Sequence, residues 1–230
     1  MILSTNPLYR LEQLVGIDNI NKLSTSSILV IGVGGVGGYA VEVLARSGVG
    51  NIIVADHDAV DITNINRQII ALNSTIGKNK VDVIKERVND INPSINVTTH
   101  KLFVDEDNLS AIINDVDYVI DACDALATKL AIIKYCTDNS IPFISSMGAG
   151  NKMDPTKFNI MDIRDTSYDP LAKKIRKYVV DEGIKMSIPV VCSNEPKYSE
   201  NSKPIPSNAF VPATVGILCG SYIINKIIGG

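Results

Sequence analysis

The 230-residue chain is most informative first in what it lacks. It has no C-x-x-C pair. Cys123, Cys136, Cys192 and Cys219 are widely spaced, which argues against a structural zinc site and against a disulfide scaffold. An excess of positive charge is also missing. The 22 Lys and Arg face 25 Asp and Glu, for a net charge of −3, so any nucleic-acid contact must come from a local patch. No signal peptide is visible, which predicts a reducing, cytoplasmic setting. There is no internal repeat and no low-complexity tract. Residues 211–228 form an 18-residue apolar run interrupted by Pro212, Asn225 and Lys226. That run predicts a buried core or subunit-interface helix rather than a membrane span. With 45% apolar and 20% charged residues, the chain can bury one sizeable core.

The most distinctive stretch is residues 27–38, Ser-Ser-Ile-Leu-Val-Ile-Gly-Val-Gly-Gly-Val-Gly. An apolar β-branched run without polar alternation predicts a buried parallel strand. Gly32, Gly34, Gly35 and Gly37 then open a helix. Such a turn aims backbone N–H groups and the positive end of a helix dipole at a phosphate.

Around this stretch the chain reads as a doubly wound, Rossmann-like α/β sheet. Parallel strands are predicted at 28–31, 51–55, 95–102, 118–122 and 142–146, and helices at 37–47, 78–91, 106–114 and 128–139. Residues 1–26 read as a small helical arm, 27–150 as the nucleotide-binding core, and 151–230 as a substrate-facing and dimer-packing part of the same domain. In that last part, 156–162 reads as an antiparallel edge strand, 169–181 as a basic helix and 188–192 as a further strand. Residues 195–208, rich in Pro, Ser and Lys, read as a flexible loop.

The glycines alone do not identify the nucleotide. With Asp56 placed 22 residues after Gly34, they also suit a nicotinamide or flavin dehydrogenase. Three further features favour ATP. Asn64, Arg67 and Gln68 follow the acid, Lys80 stands near a helix start, and Asp124 sits at the end of the fourth strand. A triphosphate carries more charge than a dinucleotide's pyrophosphate and recruits such cations, with Mg²⁺ held by a carboxylate. A Walker-type loop is absent.

The ordered runs Gly32-x-Gly34-Gly35-x-Gly37, Asp56-x-Asp58, Thr63-Asn64-x-Asn66-Arg67-Gln68, Gly77-x-x-Lys80 and Asp121-x-x-Asp124 resemble the E1-like adenylating superfamily of ThiF and MoeB proteins. Residues 60–72, 145–156, 169–173, 193–195 and 206–212 are similar to its tRNA threonylcarbamoyladenosine dehydratase branch. The resemblance implies an E1-like fold and a homodimer. It implies ATP contacts from Gly32, Gly34, Gly35, Gly37, Asp56, Asp58, Asn64, Arg67, Gln68, Lys80 and Asp124, with Asp124 on Mg²⁺ and no zinc. Arg67, Lys80 and Asp124 would be catalytic. Arg10, which taken alone reads as a surface arginine, would reach the partner subunit's site.

The implied reaction is ATP-dependent cyclisation of threonylcarbamoyladenosine in tRNA through a carboxyl-adenylate. The alternative is adenylation of a small sulfur-carrier protein, with a sulfur-transfer protein as a partner. Residues 151–203 hold ten cations against eight acids, and Lys152, Lys173, Lys174, Arg176 and Lys177 are expected to meet the tRNA backbone. Cys192 is a candidate reactive thiol, set against a buried, inert alternative.

Overall fold

The computed structural model describes residues 6–200 and 203–229. The remaining positions, in the expected arm and C-terminal part, lie outside the described residues. The arm holds two short helices, α1 (Tyr9–Val15) and α2 (Ile17–Thr25). Seven strands then form one sheet: β1 (Ser27–Ile31), β2 (Asn51–Ala55), β3 (Asn96–His100), β4 (Tyr118–Asp121), β5 (Phe143–Ser146), β6 (Phe158–Asp162) and β7 (Pro189–Ser193). Their spatial order is β3-β2-β1-β4-β5-β7-β6. Six strands run parallel, and β6 closes one edge antiparallel to β7. Of the two C-terminal strands, β6 is thus the antiparallel edge and β7 extends the parallel set.

Alternate residues of each strand feed two cores, as a sheet covered on both faces requires. Ile28, Val30, Ile52, Val54, Ile120 and Ile144 face α2, α3 (Gly37–Arg46), α4 (Lys80–Ile91) and α8 (Phe210–Ile228). Leu29, Ile31, Val119, Phe143 and Val190 face α5 (Glu106–Ile112), α6 (Leu126–Asp138) and α7 (Pro170–Asp181). Helix α8 is long and apolar enough to span a membrane, but half of it is buried in the protein. Its residues Val211, Val215, Cys219 and Ile223 belong to the core shared with α3, in line with the expected core helix.

Beyond shifts of one or two residues at other element ends, two differences from the sequence reading bear on the site. Helix α4 starts at Lys80 rather than 78, because Ala59 and Asn79 form an antiparallel bridge that keeps the chain extended there. The described part of the 195–208 loop is pinned rather than free. Asn151 donates to the Ser199 carbonyl (2.6 Å) and accepts from the Ser199 amide (2.8 Å), and Asn208 donates to the Lys152 carbonyl (2.9 Å).

The strand order reverses between β1 and β4. In open α/β sheets, ligands bind outside the carboxyl ends at such a switch point. Gly32 and Ala122 leave those two strands close together. A Cβ at Gly32, whose φ is +85°, would lie 2.8 Å from the Ala122 carbonyl oxygen. Only glycine satisfies both that backbone angle and that approach.

Candidate active site

A cleft of about 930 Å³ opens on this rim. Its β1–β2 side holds Gly32, Gly34, Gly35, Asp56, Asp58, Asn64, Arg67, Gln68 and Lys80, with Asp124 at the end of β4. All of these were expected from sequence to contact one nucleotide, and the fold brings them to one cavity. Gly37 stands behind the turn. A Cβ there would lie 1.8 Å from the Gly32 carbonyl oxygen, so its role is to let α3 close on β1.

The turn is built as an anion cradle. α3 has no side-chain cap, and among the described residues the Gly34, Gly35 and Val36 amides donate to no other backbone group. Donors left free at a helix start suit a phosphate. The nearly buried Asp56 anchors the cradle. Its carboxylate accepts from the Val33 amide (2.8 Å) and from the Asp58 amide (2.9 Å). Each oxygen keeps a lone pair for a further donor such as a ribose hydroxyl.

Lys80 is 5% exposed and donates to Asp58 at 2.7 Å. Partial burial pushes the Asp58 carboxyl up. The Lys80 hydrogen bond and charge, with His57 beside it, outweigh that and hold it below the usual carboxylate range. The ion pair fixes the lysine at the cavity wall. Arg67 is held over the cleft by the Thr63 carbonyl (2.8 Å) and Asn66 Oδ1 (3.0 Å). Asn64 Oδ1 accepts from the Asp61 amide (3.1 Å), closing the capped 3-10 turn Ile62–Asn64.

Gln68 is 6% exposed. Its Oε1 is the one buried side-chain polar atom among the described residues with no partner, and its Nε2 would stand 3.6 Å from a Cβ on Gly34. An orphaned amide oxygen at the cleft wall fits a ligand donor such as an adenine amino group. Asp124 is exposed, and among the described residues it makes no ion pair. Its free carboxylate is suited to a divalent cation. Asp56, His57 and Asp58 also present ligand atoms within 4.8 Å of one another, but Asp58 is already engaged by Lys80.

Other expected residues fall differently. Arg10 lies on α1 and does not line this cleft. Leu8, just before α1, packs at Gly48 near the amino end of β2, on the far side of the sheet from the cavity. Arg10 is thus on an element outside its own chain's cleft. Lys152 is buried, with its ammonium donating to the Glu195 carbonyl, and is a cleft strut rather than a surface cation. Arg176 donates to Thr166 Oγ1 at 2.8 Å, whereas Lys173, Lys174 and Lys177 stand exposed on α7. Cys192 is fully buried in β7, and burial pushes its thiol up to about 12. At that value roughly one thiol in 10⁵ is ionised at neutral pH. Of the two readings of Cys192, the burial fits the inert one.

The sequence reading missed a buried pair behind the cleft. Lys129 on α6 and Asp121 at the end of β4 are both fully buried, 3.0 Å apart. Lys129 also donates to Ser145 Oγ (3.2 Å) and to the Ser146 carbonyl (2.8 Å), and Ser145 donates to Asp121 (2.6 Å). Burial works against the ammonium, but the Asp121 charge and hydrogen bond, together with the neighbouring Cys123 and Cys219, outweigh it and hold Lys129 above the ordinary lysine range. The network ties the ends of β4 and β5 together just beneath Asp124. Its signal in the sequence was a lysine in register with Ile132, Ile133 and Cys136, the buried stripe of α6.

Nearly the whole chain is similar to known proteins in sequence and fold. The ThiF family profile matches residues 7–230. The tRNA threonylcarbamoyladenosine dehydratase of Bacillus subtilis is 42% identical, covering 95% of this chain and 93% of its own. That of Haemophilus influenzae is 38% identical, covering 92% and 89%. The crystal structure of the E. coli tRNA N6-threonylcarbamoyladenosine dehydratase in complex with AMP matches at a TM-score of 0.91 and 36% identity, covering 99% of this chain and 97% of that one. The same enzyme in complex with ATP gives 0.91 and 35%. Matched from its helical arm through its C-terminal helix, the chain belongs to the ThiF family.

Proposed function

We propose that this chain catalyses the ATP-dependent cyclising dehydration of threonylcarbamoyladenosine in tRNA. The observation that carries the reading is the single cleft in which the uncapped glycine turn, the Asp56 anchor, the buried Lys80 and the unpaired Gln68 oxygen converge. Dehydratase relatives similar over nearly the whole chain supply the substrate.

ATP lies with its phosphates on the Gly34–Val36 amides and its ribose on Asp56. The threonyl carboxylate oxygen attacks the α-phosphorus and pyrophosphate leaves. The carbamoyl nitrogen or oxygen then attacks the acyl-adenylate carbonyl, AMP leaves, and the ring is closed. The net change in the nucleoside is loss of water. Lys80 and Arg67 place fixed positive charge where negative charge builds at phosphorus, in a site that needs no reorganisation at that moment. Asp124 would hold Mg²⁺, which would supply neutralisation of phosphate charge. Ring closure is intramolecular, so positioning does much of the work. The active species is a homodimer in the cytoplasm, with Arg10 of one protomer completing the other's site. Lys173, Lys174 and Lys177 on α7 meet the tRNA backbone.

The test is mass spectrometry of tRNA nucleosides after incubation with the protein and ATP. The cyclic nucleoside should appear, with AMP and pyrophosphate release that depends on modified tRNA. Nucleotide turnover indifferent to that tRNA would sink the reading.

A further inference from the structure

The cleft is longer than its nucleotide end. Its β5–β7 side, formed by Gly148 to Asn151, Tyr168 and Asp169, is not used by any of the ATP contacts. Tyr168 stands out there. It is 67% exposed on the cavity wall, its ring joins neither core, and its backbone is left-handed, with φ +56°. For a bulky residue that conformation is costly, and glycine or asparagine would adopt it with less strain. Folding therefore gives no reason for a tyrosine at this position. A strained, exposed aromatic on a cavity wall points to a ligand.

The backbone around the ring is rigid. Asp169 caps α7 by accepting from the Leu171 and Ala172 amides (2.8 and 2.9 Å) and also accepts from the Gly148 amide (2.8 Å). On the other side, Arg176 holds Thr166. The tyrosine is thus presented on a fixed frame, immediately before the helix that carries exposed Lys173 and Lys174. An aromatic face beside phosphate-binding cations is how proteins hold an unstacked base.

We infer that Tyr168 is the stacking platform for the modified adenine, a substrate-binding residue that sets the nucleoside's place in the cleft. The threonylcarbamoyl arm carries the carboxylate away from the purine. When the carboxylate lies against the α-phosphate at the glycine turn, the purine lies farther along the cleft, on the β5–β7 side. This inference rests on the dehydratase reading.

Steady-state kinetics with varied tRNA test it. Tyr168→Ala should raise KM for tRNA roughly tenfold or more, the range of one lost base stack, with ATP affinity unchanged. Tyr168→Phe keeps the ring and should keep the wild-type KM. Tyr168→Gly relieves the backbone, so it should melt no lower than wild type yet show the same KM defect. The chain has no tryptophan, so Tyr168→Trp introduces a lone indole whose emission tRNA should quench and ATP alone should not. A tRNA KM within about twofold of wild type in the Ala and Gly variants overturns the inference, as does indole emission indifferent to tRNA. Failure of the wild type to form any cyclic nucleoside would instead end the dehydratase reading, and the quenching arm would still report whether tRNA stacks at this position.

Discussion

The side chains divide into those that hold the site and those that face the ligand, and their mutants should separate accordingly. Lys129→Met leaves the buried Asp121 without its counter-ion. It should destabilise the protein by about 3–5 kcal/mol in urea unfolding. Adding Asp121→Asn should recover part of that, because it removes the buried charge while its amide oxygen can still accept from the Cys123 amide and its Nδ2 can donate to Ser145 Oγ. Asp124→Ala, by contrast, removes an exposed, unpaired carboxylate and should abolish turnover with no change in melting temperature. Cys192→Ala should keep wild-type kcat, since that thiol stays protonated in its strand. Asp58 gives a pH signature. Its folded-state value is depressed, so its stabilising contribution is present above the ordinary carboxylate range near about 4 and fades only as pH falls through the lower folded value. Melting curves of wild type and Asp58→Asn should therefore differ at neutral pH and converge at acid pH, by a small margin because Asp58 is half exposed. The residues of the cleft's nucleotide end could be picked out in the sequence because phosphate chemistry requires glycines, acids and cations in a recognisable order, and the fold brings them to one cavity. Lys129 was not, because a buried cation looks like any surface lysine until its partner, eight positions earlier, is known to share its side of the sheet. Tyr168 was equally silent, since a backbone angle leaves no trace in a single sequence.

Among the elements, α3 and α8 show how tightly the cleft's supports are built. A Cβ at Gly216 would lie 2.2 Å from the Val36 carbonyl oxygen, and one at Gly220 would lie 2.8 Å from Val43 Cβ. Gly216→Ala should force the helices apart and lower stability by about 1–3 kcal/mol, measured by chemical denaturation. ATP affinity should weaken in parallel, because Val36 is part of the cradle. Most elements were readable from hydrophobic period alone. β2 falls on residues 51–55 as expected, and β6 is the antiparallel edge. The described part of the 195–208 loop is more tied down than its linker-like composition suggests. Asn151 and Asn208, whose side-chain amides bridge segments more than forty residues apart, hold it.

For the molecule as a whole, the placement of Arg10 makes a stoichiometric prediction. If it completes the partner's site, Arg10→Ala and Lys80→Ala preparations should each be inactive. Mixed and allowed to exchange subunits, they should regain about a quarter of wild-type activity, since half the dimers are then mixed and each carries one intact site. Recovery of none would remove Arg10 from the mechanism. The seating of α8 reaches further, to the ribosome. Pro212 lies against the glycine turn, where a Cβ on Gly35 would be only 3.2 Å from it, and α8 fills the groove along α3. The phosphate cradle is encoded by residues 32–37, but its backing is translated some 180 residues later. A nascent chain stalled before residue 210 should therefore leave the turn open to protease and indifferent to ATP, so nucleotide can act as a folding ligand only once α8 has emerged.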